Sequence, residues 1–268
     1  MLYSFKGGSD GWAPFGGLVA IKDVLYGTTS DGLACQQRSS RLFKRECGTI
    51  FAITRTGTET VLHNFSGPPD GAEPIGSMTV MEGRLYGSTW VGGRGPCKNG
   101  CGTFFSAGTS GKKRTLYSFK GPPDGENPGG GLIRVGKLFY GTTASGGNGK
   151  VCGTSGCGTV FSITASGKER ILYSFRGGRD AAGPNGGLAL LNGKLYGTAG
   201  GGDYCVQDFQ CGTIFEVTTS GQERVLHRFT GSPDGEYPNA LVAQNGVLYG
   251  TTDGGGTYQY GTAFSLSP

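Results

Sequence analysis

Apolar residues in this chain fall in short runs separated by glycine-rich polar stretches, and the runs repeat. Leu2-Tyr3-Ser4-Phe5 returns as Leu62-His63-Asn64-Phe65, Leu116-Tyr117-Ser118-Phe119, Leu172-Tyr173-Ser174-Phe175 and Leu226-His227-Arg228-Phe229. A second anchor, Leu25-Tyr26-Gly27-Thr28, recurs in step from Leu85, Phe139, Leu195 and Leu248. A third, Gly48-Thr49-Ile50-Phe51, recurs from Gly102, Gly158, Gly212 and Gly261. Within one period the pattern predicts four short strands. Residues 187–191 form an apolar run ending in Asn192-Gly193, a preferred two-residue hairpin turn. Residues 194–198 make the second strand, 213–218 the third and 224–229 the fourth, with Thr219-Ser220-Gly221 closing the last hairpin.

Four strands per unit of about 55 residues is the pattern of propeller blades. The expected fold is all-β: a five-bladed β-propeller with four antiparallel strands per blade. A superhelical β-solenoid is the alternative. The chain begins with a fourth-strand segment and ends with a third-strand segment, so an N-terminal strand is expected to complete the last blade and remove two open edges. The repeats run approximately over residues 7–65, 66–119, 120–175, 176–229 and 230–268 plus 1–6, as one domain. Strand parity puts tight turns such as Glu82-Gly83 and Asn245-Gly246 on one side. The long second-to-third and inter-blade loops fall on the other, where function more often resides.

Composition narrows the classes. Of 268 residues, 55 are Gly and 12 Pro, which without a regular repeat would read as low complexity. No apolar stretch approaches the roughly 18 residues of a membrane span. The net charge of +5 is thinly spread, without the stripe of basic and aromatic residues expected of a nucleic-acid binder. Met1 leads into a strand-like segment rather than a signal peptide.

The eight cysteines form four local pairs, Cys35/Cys47, Cys97/Cys101, Cys152/Cys157 and Cys205/Cys211, each in a second-to-third loop. Their uneven intervals and the two histidines of the chain argue against zinc. Four disulfides are expected, and with them an oxidising location, secreted or at the cell surface. No metal or cofactor is expected.

Candidate chemistry lies on the loop side. The inter-blade loops carry Asp-Gly-x-x-Pro from Asp10, Asp70, Asp124 and Asp234, while the fourth reads Asp180-Ala181. These carboxylates either ring a ligand site or bond nearby backbone N–H groups while Pro stiffens the turn. A catalytic pair should break the repeat, and the asymmetric acids are Glu46, Glu73, Glu126, Asp203, Asp208 and Glu236. His63 and His227 replace a repeated Tyr and are expected to be structural, which leaves a Ser–His–Asp triad without a histidine on this side. Trp12, Trp90, Tyr204, Phe209, Tyr237, Tyr258 and Tyr260 supply rings on which sugars stack, or else cover the blade tops.

The ordered motifs Asp-Gly-x-x-Pro, Leu-Tyr-Gly-Thr-Thr, Gly-Gly and Cys-Gly-Thr-[Val/Ile]-Phe resemble the GloVer tandem repeat of bacterial secreted and surface-anchored "choice-of-anchor" proteins, over essentially the whole chain. The resemblance implies export and surface display, and it brings no catalytic residue set. The leading expectation is a monomeric, lectin-like, carbohydrate-binding protein whose partner is a glycan or polysaccharide. A secreted glycoside hydrolase or polysaccharide lyase is the alternative, and a surface scaffold for another protein the third.

Overall fold

The computed structural model describes residues 1–33, 47–184, 186–201 and 211–268. Among them the structure is all-β, with only two short 3-10 turns besides strands. Sheet one holds β1 (Val19–Ile21), β2 (Val24–Thr29), β3 (Thr49–Thr54) and β4 (Glu59–Asn64). Sheet two holds β5 (Thr79–Met81), β6 (Arg84–Thr89), β7 (Thr103–Ala107) and β8 (Lys113–Ser118). Next come β9 (Gly125–Glu126), β10 (Ile133–Val135), β11 (Leu138–Thr143), β12 (Ser145–Gly146), β13 (Thr159–Thr164) and β14 (Glu169–Ser174). Sheet three is β10-β11-β13-β14, while β9 pairs β12. Sheet four holds β15 (Ala189–Leu191), β16 (Lys194–Ala199), β17 (Thr213–Thr218) and β18 (Glu223–Arg228). Sheet five holds β19 (Glu236–Pro238), β20 (Val242–Gln244), β21 (Val247–Gly254) and β22 (Thr262–Leu266).

Sheets one to four are up-and-down antiparallel, in chain order. Sheet five departs: β21 sits between β20 and β22 and also pairs β19. The second, third and fourth strands fall where the repeat predicts, within a residue in the fourth repeat. The first strand is shorter than expected, because Gly187 and Leu188 precede β15 rather than belonging to it.

The two strongest sequence anchors explain each other. Gly87 of β6 lies opposite Phe105 of β7, and a Cβ on Gly87 would come within 2.6 Å of the Phe105 ring. The glycine of Leu-Tyr-Gly therefore makes room for the phenylalanine of Gly-Thr-x-Phe. The same pairing recurs as Gly27–Phe51, Gly197–Phe215 and Gly250–Phe264. Three of the third-strand rings are met edge-on by the phenylalanine that follows the preceding sheet's fourth strand. Phe65 meets Phe105 at 5.4 Å, Phe175 meets Phe215 at 4.9 Å and Phe229 meets Phe264 at 5.2 Å. Such rings contribute about 0.5–1.5 kcal/mol beyond the area they bury.

Contacts divide the chain into two compact units, Met1–Gly121 with Asn127–Phe139 and Ile163–Glu169, and Pro122–Glu126 with Tyr140–Ser162 and Arg170–Pro268. In the first, the core centres on Ile50, Phe105, Leu85 and Met78; in the second, on Ile214, Leu248, Tyr196 and Phe229.

The expected N-terminal strand is not formed: residues 1–6 carry no strand. Side chains hold them instead. The Tyr3 hydroxyl donates to Asp10 Oδ1 at 2.7 Å, the Lys6 N–H donates to Asp10 Oδ2 at 2.6 Å, and Phe5 meets Phe51 edge-on at 5.0 Å.

Among the described residues, no helix is long and apolar enough to cross a membrane. Cys97–Cys101 and Cys152–Cys157 are bonded. Cys47 and Cys211 are also disulfide-bonded, and their expected partners Cys35 and Cys205 lie outside the described residues.

Candidate functional site

The two classes of long loop are tied together by backbone pairing. The inter-sheet loop runs antiparallel to the segment leaving the second strand at Trp12–Asp31, Ala72–Val91, β9–β12 and β19–β21. One position in these loops is fixed with unusual regularity. The N–H groups of Glu73, Asn127, Gly183 and Tyr237 donate to the carbonyls of Cys47, Cys101, Cys157 and Cys211, at 3.1, 2.9, 2.9 and 2.9 Å. These residues, and Ala13 in the first loop, share φ values of 55 to 61°. The last cysteine of a loop thereby sets the direction of one side chain in the next loop, and that side chain differs in every repeat.

In the second unit this arrangement frames a cavity of about 700 Å³. Its walls are the exposed ring of Tyr237, Val151 and the Cys152–Cys157 bridge. Ser145 and Ser155 add hydroxyls, and the glycine backbone of Gly178, Gly183, Gly200 and Gly201 forms much of the rest. A ring beside bare peptide groups and hydroxyls suits a ligand with an apolar face and many polar edges. In the first unit a second cavity, about 500 Å³, lies along the outer strand β8, lined by Pro69, Asp70, Arg94, Thr115, Tyr117 and Ser118.

The repeated aspartates are engaged locally. Asp70, Asp180 and Asp234 accept the N–H four residues upstream, from Ser66, Arg176 and Thr230 at 3.2, 2.7 and 3.1 Å, as Asp10 does from Lys6. Each also meets the ring seven residues upstream: His63 Nε2 lies 2.9 Å from Asp70, the Tyr173 hydroxyl 3.0 Å from Asp180, and His227 Nε2 3.0 Å from Asp234. Asp124 Oδ1 accepts the Gly125 N–H at 2.7 Å. Hydrogen bonding to Asp10 is the first cause that pushes the Tyr3 hydroxyl up to about 12, followed by burial.

The aromatics separate into two groups. Tyr258 and Tyr260 are 82 % and 91 % exposed, and Trp12 and Tyr237 are also exposed. Trp90 is not an open platform: its ring lies over Gly129, where a Cβ would come within 2.5 Å of it, and it packs against the core. Tyr204 and Phe209 lie outside the described residues, as do the acids Glu46, Asp203 and Asp208.

Of the remaining acids, Glu126 sits in β9 opposite Ser145, a cavity-lining residue, and burial pushes its carboxyl above the ordinary range. Glu236 pairs with Gly254 in sheet five, and Glu73 occupies the cysteine-held position in the first unit. Among the described residues, no cluster of three His, Cys, Asp or Glu could hold a metal.

Two cavity-lining contributors were not singled out in the sequence, Ser145 and Arg94. Lys113, read there only as part of a short basic patch, stands at the head of a fourth strand where other sheets have Glu59, Glu169 and Glu223.

A family model described as the Gloeobacter/Verrucomicrobia repeat matches residues 36–264. No curated protein matches the chain. Among solved structures, an α-L-arabinofuranosidase from Clostridium thermocellum is 14% identical, with a TM-score of 0.44, over 90% of this chain and 81% of that one. A luciferin-regenerating enzyme is 14% identical, with a TM-score of 0.48, over 96% and 92%. The computationally designed Ika4 protein is 12% identical, with a TM-score of 0.35, over 99% and 98%. Likeness at this level fixes neither substrate nor activity.

Proposed function

We propose, from the premise that the chain belongs to the Gloeobacter/Verrucomicrobia repeat family, that it is a secreted or surface-displayed, lectin-like glycan-binding protein. We read its five four-stranded sheets as the blades of a five-bladed propeller, with residues 1–6 serving as the outer segment of the fifth. The placement of Phe5 on Phe51 supports this reading, because it repeats the placement of Phe65 on Phe105.

The observation that carries the function is the cavity beside Tyr237, with one exposed ring facing hydroxyls and unclad glycine backbone. The ring would take the C–H face of a sugar, and the peptide groups and serines its hydroxyls. Equivalent loops in several repeats would add weak sites into avidity on a polymer. Trp12, Tyr258, Tyr260 and the repeated aspartates belong to the same proposal as rims of neighbouring sites.

One observation favours a second reading. Glu126 is an acid with a raised affinity for its proton, one strand pairing from the cavity, as a general acid in a glycoside hydrolase or lyase would be.

The test is native mass spectrometry with a panel of soluble oligosaccharides, followed over time. Lectin-like binding gives ligands retained intact, and Tyr237→Ala weakens binding at least tenfold, about 1.4 kcal/mol. A ligand that disappears into shorter products, with loss of turnover in Glu126→Gln, replaces the lectin with the enzyme. Silence across the panel removes both and leaves the protein scaffold.

A further inference from the structure

Lys113 is the charge reversal in an otherwise acidic row, and its ammonium is withdrawn from water, with its side chain only 2 % exposed. It donates to Asp70 Oδ1 at 2.6 Å, to Thr115 Oγ1 at 2.8 Å and to the Asp70 carbonyl. Its Nζ lies 5.2 Å from the centre of the Phe65 ring and 5.6 Å from that of Phe105. The other oxygen of the same carboxylate, Oδ2, lies 2.9 Å from His63 Nε2. An amine, a carboxyl carbon and a proton carrier therefore stand together against two aromatic rings. At the equivalent positions Asp10, Asp180 and Asp234 meet Tyr3, Tyr173 and His227 in the place that His63 takes at Asp70.

We propose that Lys113 and Asp70 become joined by an intramolecular amide bond between Nζ and Cγ, formed with loss of one water and assisted by His63. The buried, ring-lined setting of the Lys113 ammonium penalises its charge and favours the neutral amine that the bond requires. Burial likewise pulls the Lys113 ammonium down, against the opposing Asp70 charge. Asp70 behaves differently. Burial pushes its carboxyl up, but His63 and Lys113 outweigh it and hold the group below the ordinary range. The acid therefore needs the protonated imidazole.

The step balances without an oxidant or a further reactant. The ammonium passes one proton to Oδ1, and the freed amine attacks Cγ. The Nζ–Cγ bond forms as protonated His63 gives its proton to Oδ2. Nζ returns one proton to the imidazole and keeps one as the amide N–H. The Cγ–Oδ2 bond then breaks, and Oδ2 leaves as water, taking the proton held on Oδ1 as its second.

The bond would tie the head of β8 to the loop that follows β4, clamping the first two sheets where their aromatic rings meet. The test is the intact mass of the whole chain after its disulfides are reduced and capped. The expected mass is one water below that of the sequence, with a branched peptide joining the Asp70 and Lys113 segments in a digest. Lys113→Arg keeps the charge but has no amine that can form this bond, so it should restore the full mass. His63→Gln should slow formation in freshly refolded protein by roughly a hundredfold, the lower range for a lost general acid. A wild-type chain that keeps its full mass after prolonged incubation from mildly acid to neutral pH overturns the proposal and leaves a buried ion pair. Unchanged kinetics in His63→Gln would remove the role of the imidazole.

Discussion

At the scale of single residues, the fourth repeat's departures form a matched set. In the other repeats a buried threonine at the end of the second strand pairs with one at the start of the third: Thr29–Thr49, Thr89–Thr103, Thr143–Thr159 and Thr252–Thr262, at 2.8 to 2.9 Å. The glycine of Asp-Gly-x-x-Pro lies against the first of these threonines. A Cβ on Gly11 would come within 2.3 Å of Thr29 Oγ1, and one on Gly71 within 2.8 Å of Thr89 Oγ1. The fourth repeat has Ala181 and Ala199 at these two positions, both fully buried, so the methyl gained by one is matched by the bulk lost from the other. Thr213 is left with a buried hydroxyl that finds no partner among the described residues. The sequence displayed Ala181 as an irregularity, but its compensation lay in another motif and only the structure brings them together. Gly71→Ala should cost about 1–3 kcal/mol through overpacking. Adding Thr89→Ala should recover part of that loss, a non-additivity that urea unfolding of the two single variants and the double variant measures.

At the scale of strands and the loops that meet them, the sequence is most informative where a residue type is forced. The Gly–Phe crossing fixes the second and third strands, and the repeat places both. It is least informative for the first strand. Here the chain passes so close to its neighbour that a Cβ on Gly76 would come within 2.7 Å of the Gly130 carbonyl, and glycine carries no strand preference to read. The partners of the charge at the head of the fourth strand were also illegible, because the groups that meet there are distant in sequence. Glu223, at the start of β18, faces Asp180 and Tyr173, with Arg228 nearby. Burial, with the Asp180 charge second, pushes its carboxyl up to about 7 from 4.5. Since the folded chain holds this proton more tightly than the unfolded one, the resulting stabilisation is complete below the unfolded value. It is lost as pH rises through about 7. Wild-type protein should therefore become more stable on mild acidification, and Glu223→Gln should flatten that part of the profile in thermal melts across pH.

At the scale of the whole molecule, the all-β class and four-stranded sheets were legible because five copies of one pattern average out local ambiguity. The expected strand at residues 1–6 was an argument about edges. What holds this segment is Phe5 on Phe51 and Tyr3 on Asp10, not a backbone ladder. Phe5→Ala should accordingly lower stability by about 1–3 kcal/mol, less than a fully buried ring, as read by chemical denaturation. The candidate site was legible only in parts. Tyr237 and Glu73 were singled out as residue types, but that they share one backbone setting with Asn127 and Gly183 shows only in the hydrogen bond each makes to a cysteine 26 residues earlier, a constant interval that no residue type marks. That setting has an evolutionary consequence. The donor is the main chain, so the bond survives any substitution except proline. The left-handed backbone costs a non-glycine residue roughly 1–2 kcal/mol, less for asparagine and more for β-branched side chains, so unbranched residues exchange for one another at similar stability. Glutamate, asparagine and tyrosine already coexist there on one scaffold. The position can drift or be randomised among unbranched residues, changing the surface of the loop while the bond that holds its backbone stays outside the reach of that variation.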